Sequence, residues 1–127
     1  MQALFSFKKK KHVLIVEDDV RLRASVREQC EAHGFVVHEA SDASAVLPLL
    51  VKQVPDIMIL DLILPLKDGV TLLEEVRKEG YEFPVLILSN LLGSDDLRQD
   101  AERLGAAFFN KSSISLDEIV KEIKKHT

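Results

Sequence analysis

Four short apolar runs in the chain each end at a polar residue that can take part in chemistry. The runs are residues 13–16, ending at Glu17 and Asp18, residues 57–60, ending at Asp61, residues 85–88, ending at Ser89, and residues 106–110, ending at Lys111. Each run is too short for a helix and lacks polar alternation, which is typical of a strand buried on both faces of a parallel sheet. Because the carboxyl ends of parallel strands share one edge of a sheet, we expect these polar residues to lie together there.

Helix candidates alternate with the strand candidates along the chain. They lie at about residues 20–33, 43–52, 70–79, 94–104 and from 115 onward, and the segment 35–39 has the mixed polarity of an edge strand. Four of the five helix candidates have a strand candidate on each side, which predicts an α/β fold. At 127 residues the chain has the length of one such domain.

Three local signals refine the helices. Pro48 should make the helix at 43–52 short or kinked, because proline removes a backbone hydrogen bond and clashes with the preceding turn. Ser115 and Glu118 form a capping-box pattern that predicts the start of the last helix. In the first helix the core stripe is Leu22, Val26 and Cys30, and the arginines at 21, 23 and 27 are assigned mainly to the solvent face.

Composition and the chain start argue against several classes of function. The formal net charge of −4 gives no sign of nucleic-acid binding, and no apolar stretch approaches the roughly 20 residues of a membrane span. The single Cys30 cannot form an internal disulfide, which predicts a reducing, cytoplasmic location. Residues 1–11 place lysines after an apolar segment, the reverse of a secretory signal, and we expect a flexible tail with only weak attraction to anionic membranes.

The expected cluster of acids carries a charge that needs compensation. Packed together, the carboxylates of Glu17, Asp18 and Asp61 would repel one another unless a cation or a proton joined them. Mg²⁺ prefers such oxygen ligands and is commonly held by one or two carboxylates plus a phosphate, and Mn²⁺ is the alternative ion. An aspartate can act as a nucleophile toward phosphorus, while Lys111 would supply a positive charge and Ser89 a hydroxyl donor.

Each of these residues also has a simpler structural explanation. Asp61 taken alone is typical of a helix cap or a satisfied loop carboxylate. Glu17 and Asp18 can cap the first helix, a role that Asp19 can also fill, and Ser89 can cap the fourth. The coincidence of four strand ends favours a shared site over four separate caps.

The residues at these strand ends match a known family pattern. The segments V-L-I-V-E-D-D, D-L-I-L-P-L-K-D-G, V-L-I-L-S-N and L-G-A-A-F-F-N-K occur in this order within about residues 12–126. In these motifs and their spacing the chain resembles the response-regulator receiver domain of bacterial two-component signalling. The resemblance implies a receiver domain over residues 12–127 with a flavodoxin-like, three-layer α/β/α fold, in which a doubly wound sheet has five parallel strands in the order 2-1-3-4-5.

The resemblance also assigns roles to individual residues. Asp61 would accept a phosphoryl group from a histidine kinase or a phosphotransfer protein. The expected metal-binding groups are Asp18, Asp61, the backbone carbonyl of Ile63, and Glu17 acting largely through a metal-bound water. Ser89 and Lys111 would contact the phosphoryl group.

The implied output is a change in partner binding rather than turnover of a substrate. Phosphorylation would repack the face made by helix 4, strand 5 and helix 5, with Phe108 at the aromatic switch position, although Phe108 can equally be simple core. The resemblance implies an output partner without specifying it, and the expected state is a monomer or a weak phosphorylation-dependent dimer.

The chain departs from the family pattern at two places. Ser112 follows Lys111 where the family usually has a proline after a cis peptide, so a trans bond or a strained loop is expected. Ile63 and Asn90 stand where the family tunes hydrolysis of the aspartyl phosphate, and an apolar Ile63 side chain cannot hydrogen-bond an attacking water, which predicts slow self-dephosphorylation.

Two other functions share this residue pattern. A pseudo-receiver would bind partners without taking phosphate, but retention of all four strand-end groups argues against it. A metal-dependent phosphatase would use the same nucleophile, but such enzymes usually carry a second acid two residues later, where this chain has Ile63.

Overall fold

The sheet positions every strand end that the sequence singles out. A computed structural model describes residues 9–90 and 95–127 of the chain. Within these ranges the strands are β1 (His12–Val16), β2 (Val36–Ala40), β3 (Ile57–Leu60), β4 (Val85–Ser89) and β5 (Ala106–Asn110). All pairings are parallel, and the order β2-β1-β3-β4-β5 confirms the implied order 2-1-3-4-5 and the edge position of β2.

Helices cover both faces of the sheet. They are α1 (Val20–Ala32), α2 (Val46–Lys52), α3 (Gly69–Lys78), α4 (Asp95–Arg103) and α5 (Leu116–His126). The first and last pack on one face and the other three on the opposite face, which confirms the three-layer α/β/α fold. The predicted start of the fourth helix, near residue 94, and the predicted tail up to residue 8 lie outside the described residues. None of the described helices combines the length and apolar character that crossing a bilayer requires.

Alternation along the central strands explains the apolar runs. In β1, Val13 and Ile15 pack toward α1 and α5, while Leu14 and Val16 pack toward the other three helices. Every residue of β3 and β4 is buried, because each strand has a neighbour on both sides and helices on both faces. Side chains alternate between the two faces of a strand, so a strand that is buried on both faces needs apolar residues in succession, and the sequence shows this pattern.

The helix around Pro48 is short, one of the two outcomes predicted for it. Residues Ala43–Ala45 form a 3₁₀ turn, capped by the Asp42 side chain, and α2 begins only at Val46. Pro48 lies in the first turn of α2, where a backbone N–H has no partner within the helix, so the proline is tolerated there. The break therefore precedes the proline.

The last helix begins as its capping box predicts. The Ser115 hydroxyl accepts a hydrogen bond from the Glu118 amide at 3.1 Å, and the Glu118 carboxylate accepts one from the Ser115 amide at 3.3 Å. The loop before it contains the Lys111–Ser112 peptide, which is trans like all peptide bonds in the described ranges. Of the two alternatives expected for this non-proline position, the trans bond is the one found.

Candidate functional site

Three carboxylates converge at the carboxyl edge of the sheet. Glu17 and Asp61 directly follow the adjacent strands β1 and β3, which pair Val16 with Leu60 at their ends. The Asp61 amide continues this ladder by donating to the Val16 carbonyl at 3.1 Å. Each of Glu17, Asp18 and Asp61 offers a carboxylate oxygen within 4.8 Å of those of the other two. The convergence expected from the sequence is therefore present.

The acids differ strongly in their exposure to solvent. Glu17 is only 4% exposed and Asp61 only 7%, while Asp18 is exposed. Burial raises the pKa of Glu17 to about 7, the hydrogen bond with Lys111 opposes this rise, and the nearby Asp61 carboxylate adds to it. The site therefore disfavours the charged form of Glu17 unless a nearby positive charge compensates it.

Lys111 supplies a positive charge to two of the acids. Its Nζ donates to Asp61 Oδ2 at 2.8 Å and also pairs with Glu17 Oε1. Burial tends to lower the pKa of Lys111, but the hydrogen bonds to Asp61 and Glu17 outweigh it and the pKa is raised. The amide of Lys111 donates to the Ser89 carbonyl at 3.1 Å, which anchors the loop at the end of β4. With a trans peptide before Ser112, the lysine still reaches the acids.

The second oxygen of Asp61 is also engaged. The backbone amide of Ile63 donates to Asp61 Oδ1 at 3.1 Å, so the carboxylate is held from both sides. Ile63 itself is 58% exposed. Sequence reasoning missed the amide contact, because a backbone donor leaves no trace in the residue type.

Two buried polar atoms at the site have no protein partner. Ser89 Oγ and Glu17 Oε2 are buried and make no hydrogen bond within the described part of the chain. Ser89 ends β4, next to the strand that carries Asp61. Buried polar atoms are normally hydrogen-bonded. A ligand bound here could therefore supply the missing hydrogen bonds of these two atoms. Neighbouring Asn90 is exposed.

Arg23 was assigned to the solvent face of the first helix, and this assignment is wrong. Its side chain is only 17% exposed, its NH1 group donates to the Glu17 carbonyl at 2.7 Å, and its Nε donates to Glu39 at 3.2 Å. Helical spacing predicts on which face of a helix a side chain begins. It does not predict where a long side chain such as that of Arg23 ends, and this one folds back to the end of the adjacent strand. Arg23 thus ties α1 and β2 to the backbone of the acidic site.

Gly69 allows the start of α3 to approach the phosphoacceptor candidate. A Cβ atom at this position would lie 2.6 Å from the Asp61 carbonyl oxygen and 2.8 Å from Leu62 Cα. The Gly69 amide donates to the Leu62 carbonyl at 2.8 Å. From the sequence alone, Gly69 predicts only a loop. Its close approach to Asp61 and Leu62 could not be predicted, because the local residue pattern does not show which backbone lies next to it.

Gly69→Ala should destabilise the fold by about 1–3 kcal/mol, because backbone atoms must move to admit the methyl group. Chemical denaturation would measure the loss. Gly80→Ala, at the other end of α3, is the control for the site: nothing lies within 4 Å of its Cβ, but its positive φ of 93° should cost a comparable amount, about 1–2 kcal/mol. Gly69→Ala should also perturb Mg²⁺ binding, whereas Gly80→Ala should not. Equal stability of Gly69→Ala and the wild type would refute the close-approach argument.

The donor set suits a hard divalent cation. Mg²⁺ takes oxygen ligands, and the three carboxylates are close enough to share one ion. In the protein alone, Lys111 already places a positive charge among them. An acid held between a lysine and a potential metal site is also suited to act as a nucleophile toward phosphorus.

Comparison with known sequences places these residues in a family context. The family model described as the response regulator receiver domain matches residues 13–124. The sporulation initiation phosphotransferase F of Bacillus subtilis is 27% identical over 114 residues, covering 90% of this chain and 91% of that protein. The response regulator MprA of Mycolicibacterium vanbaalenii is 32% identical over 77 residues, 61% of this chain, but the match spans only 33% of the regulator's length.

Comparison with solved structures supports the same grouping. The receiver domain of the Francisella response regulator 1452 superposes with a TM-score of 0.84 at 25% identity, covering 92% of this chain and 96% of that one. The chemotaxis response regulator CheY4 of Vibrio cholerae has a TM-score of 0.83 at 24% identity, covering 94% of this chain and all (100%) of that one, and this likeness concerns the fold.

Proposed function

Because the chain belongs to the response-regulator receiver domains of two-component signalling, we propose that Asp61 accepts a phosphoryl group from a histidine kinase or a phosphotransfer protein. The observation that carries this proposal is the position of the Asp61 carboxylate. It is in contact with Lys111 and within 4.8 Å of carboxylate oxygens of Glu17 and Asp18. Receiver domains are signalling domains, and the acceptor is part of the signal rather than of a turnover enzyme.

Glu17, Asp18, Asp61 and the carbonyl of Ile63 would hold a Mg²⁺ ion, or Mn²⁺ in its place. The support is the oxygen-rich donor set and the buried Glu17 Oε2, which lacks a partner among the described residues. When bound, such an ion screens the repulsion between the nucleophile and the incoming phosphoryl oxygens. The chain's own residues then determine how Asp61 reacts.

In the transfer, a carboxylate oxygen of Asp61 forms a bond to phosphorus. The bond from phosphorus to the donor histidine nitrogen breaks, and its electron pair returns to the imidazole. The Ile63 amide keeps the carboxylate oriented, and Lys111 can move from the carboxylate to an oxygen of the transferred group. Ser89 Oγ, buried and without a partner within the described ranges, would donate to another of these oxygens.

The proposed output passes through the two residues that contact the phosphoryl group. Phosphorylation replaces the single negative charge of the Asp61 carboxylate with the roughly two charges of a phosphoryl group, which would draw Ser89 and Lys111 and the loops that carry them. The face formed by α4, β5 and α5 would repack and change its affinity for an output partner. Phe108 lies on this face, half-buried beneath the guanidinium of Arg98, 5.6 Å from its ring centroid. We propose that the protein acts in the cytoplasm. It would be a monomer or a weak phosphorylation-dependent dimer.

Incubation with a small phosphodonor, with Mg²⁺ or with a chelator, tests the proposal. Intact-mass measurement should show one added phosphoryl group when Mg²⁺ is present and none in the chelator. A wild-type protein that binds Mg²⁺ yet takes up no phosphate from either a small donor or a panel of kinases would instead be a pseudo-receiver.

Replacement of Ile63 by Asn should shorten the lifetime of the phosphorylated protein by about tenfold, less than the roughly 10²- to 10⁴-fold of a general base, because an amide can orient a water but cannot take its proton. The exposed Ile63 side chain cannot orient a water, whereas an amide can. The decay of the phosphorylated mass with time measures this. Ile63→Leu, which adds no hydrogen-bonding group, is the control. An unchanged lifetime in Ile63→Asn would exclude the side chain as the cause of slow hydrolysis.

A further inference from the structure

A basic cleft lies at the sheet edge opposite the acidic site. Its walls come from the segment before β1, the turn between α1 and β2, and the end of α5. The cleft has a volume of about 280 Å³ and is lined by Lys9, Lys10, Lys11, His33, Gly34, Phe35, Lys124 and Thr127. These elements meet there because the amino ends of β1 and β2 and the carboxyl end of α5 share one edge of the fold.

The positive charge of the cleft is largely uncompensated. Lys9, Lys10, Lys11 and Lys124 are exposed, and none of them forms an ion pair with a carboxylate in the described part of the chain. Lys124 Nζ lies 3.1 Å from His33 Nδ1, so the lysine is directed toward the cleft. A concave cluster of four ammonium groups that have no carboxylate partner among the described residues suits an anionic surface, although the net charge of the whole protein is −4.

The sequence beside the lysines indicates which anionic surface fits. Leu4, Phe5 and Phe7 directly precede Lys8–Lys11, and Phe35 adds an apolar wall inside the cleft. Apolar side chains next to lysines suit the boundary between anionic headgroups and acyl chains, whereas nucleic acid would not use the apolar part. The lysine run alone would bind weakly, but the fold adds Lys124 to it.

We propose that this cleft docks the protein on a membrane surface containing anionic phospholipids. The docking is independent of phosphoryl uptake, since β1 separates the two sites. Its five residues span about 16 Å at roughly 3.3 Å per residue. A protein docked through the cleft would therefore present Asp61 away from the membrane and accessible to a kinase.

Vesicle co-sedimentation of the full chain tests the docking. Binding should be measurable on phosphatidylcholine vesicles containing about one third phosphatidylserine and negligible on phosphatidylcholine alone, and salt should weaken it. Binding to both kinds of vesicle alike, or to neither, would overturn the proposal. Tighter binding to an oligonucleotide than to the anionic vesicles would overturn it in favour of nucleic acid.

A charge-matched pair of variants locates the contact. Lys11→Glu/Lys124→Glu should weaken binding to anionic vesicles by at least about tenfold, from two reversed charges near the surface. Arg21→Glu/Arg98→Glu changes the net charge equally at exposed positions near the starts of α1 and α4, at the opposite edge of the fold, and should retain most of the binding. The Lys11→Glu/Lys124→Glu variant should keep wild-type phosphoryl uptake. Equal loss in the two pairs would show that net charge, and not the cleft, is responsible.

Discussion

Asp61→Asn should abolish Mg²⁺-dependent phosphoryl uptake while leaving the fold intact. The amide has nearly the shape of the carboxylate, but it has no anionic oxygen to attack phosphorus and loses its charge pairing with Lys111. The expected mass spectrum after treatment with a phosphodonor and Mg²⁺ contains only the unmodified protein. No other effect expected of a single substitution in this chain is as large.

Asp68→Asn is the matched control for Asp61→Asn. Asp68 lies in the loop that follows Asp61, where its carboxylate caps α3 by accepting from the Thr71 amide at 2.9 Å. Asparagine caps a helix about as well as aspartate, so stability and phosphoryl uptake should both stay near wild type. Uptake by Asp61→Asn at the wild-type rate would mean that another residue is the acceptor.

Lys111→Met should both destabilise the metal-free protein and slow phosphoryl uptake. The lysine pairs with the buried carboxylates of Glu17 and Asp61, and removing it leaves two like charges together in a poorly solvated site. Loss of one partner of a buried ion pair typically costs about 3–5 kcal/mol, and the low end applies here because the lysine side chain is 19% exposed. Loss of one charge-stabilising group should slow uptake by about 10²- to 10³-fold.

The response of Lys111→Met to Mg²⁺ separates the two effects. A divalent cation would replace the lost positive charge, so Mg²⁺ should restore more stability to this variant than to the wild type. Lys67→Met is the control, since Lys67 pairs with Glu75 at 2.6 Å on the surface, where an ion pair contributes at most about 1 kcal/mol. If Lys111→Met were as stable as the wild type in a chelator, the lysine would not be balancing the acids.

The strands and the sheet edge that holds the site were predictable from the sequence, because a strand buried on both faces requires an uninterrupted run of apolar residues. The runs 13–16, 57–60 and 85–88 admit no polar residue, and the polar residue after each run shows where its strand opens to solvent. The order of the strands was not contained in this pattern. It came from the resemblance to a family, since the apolar runs alone do not state which strand lies beside which.

The contacts that hold the acids could not be predicted in the same way. The pairing of Lys111 with Glu17 joins residues far apart in sequence, and the residue types alone allowed Lys111 to be an ordinary surface lysine. The Ile63 amide contact involves only backbone, and the Gly69 approach depends on how α3 enters the sheet edge. Arg23 was assigned to solvent because helical periodicity describes where a side chain starts and not where a long one ends.

A crystal structure of the protein with Mg²⁺ and beryllium trifluoride, a mimic of the phosphoryl group, tests the central claim most directly. We predict one cation bound by Asp18, Asp61 and the Ile63 carbonyl, with Glu17 joined through a water, the mimic on Asp61, and Ser89 Oγ and Lys111 Nζ in contact with its fluorides. A cation bound away from these carboxylates, or Lys111 turned away from an occupied Asp61, would contradict the account.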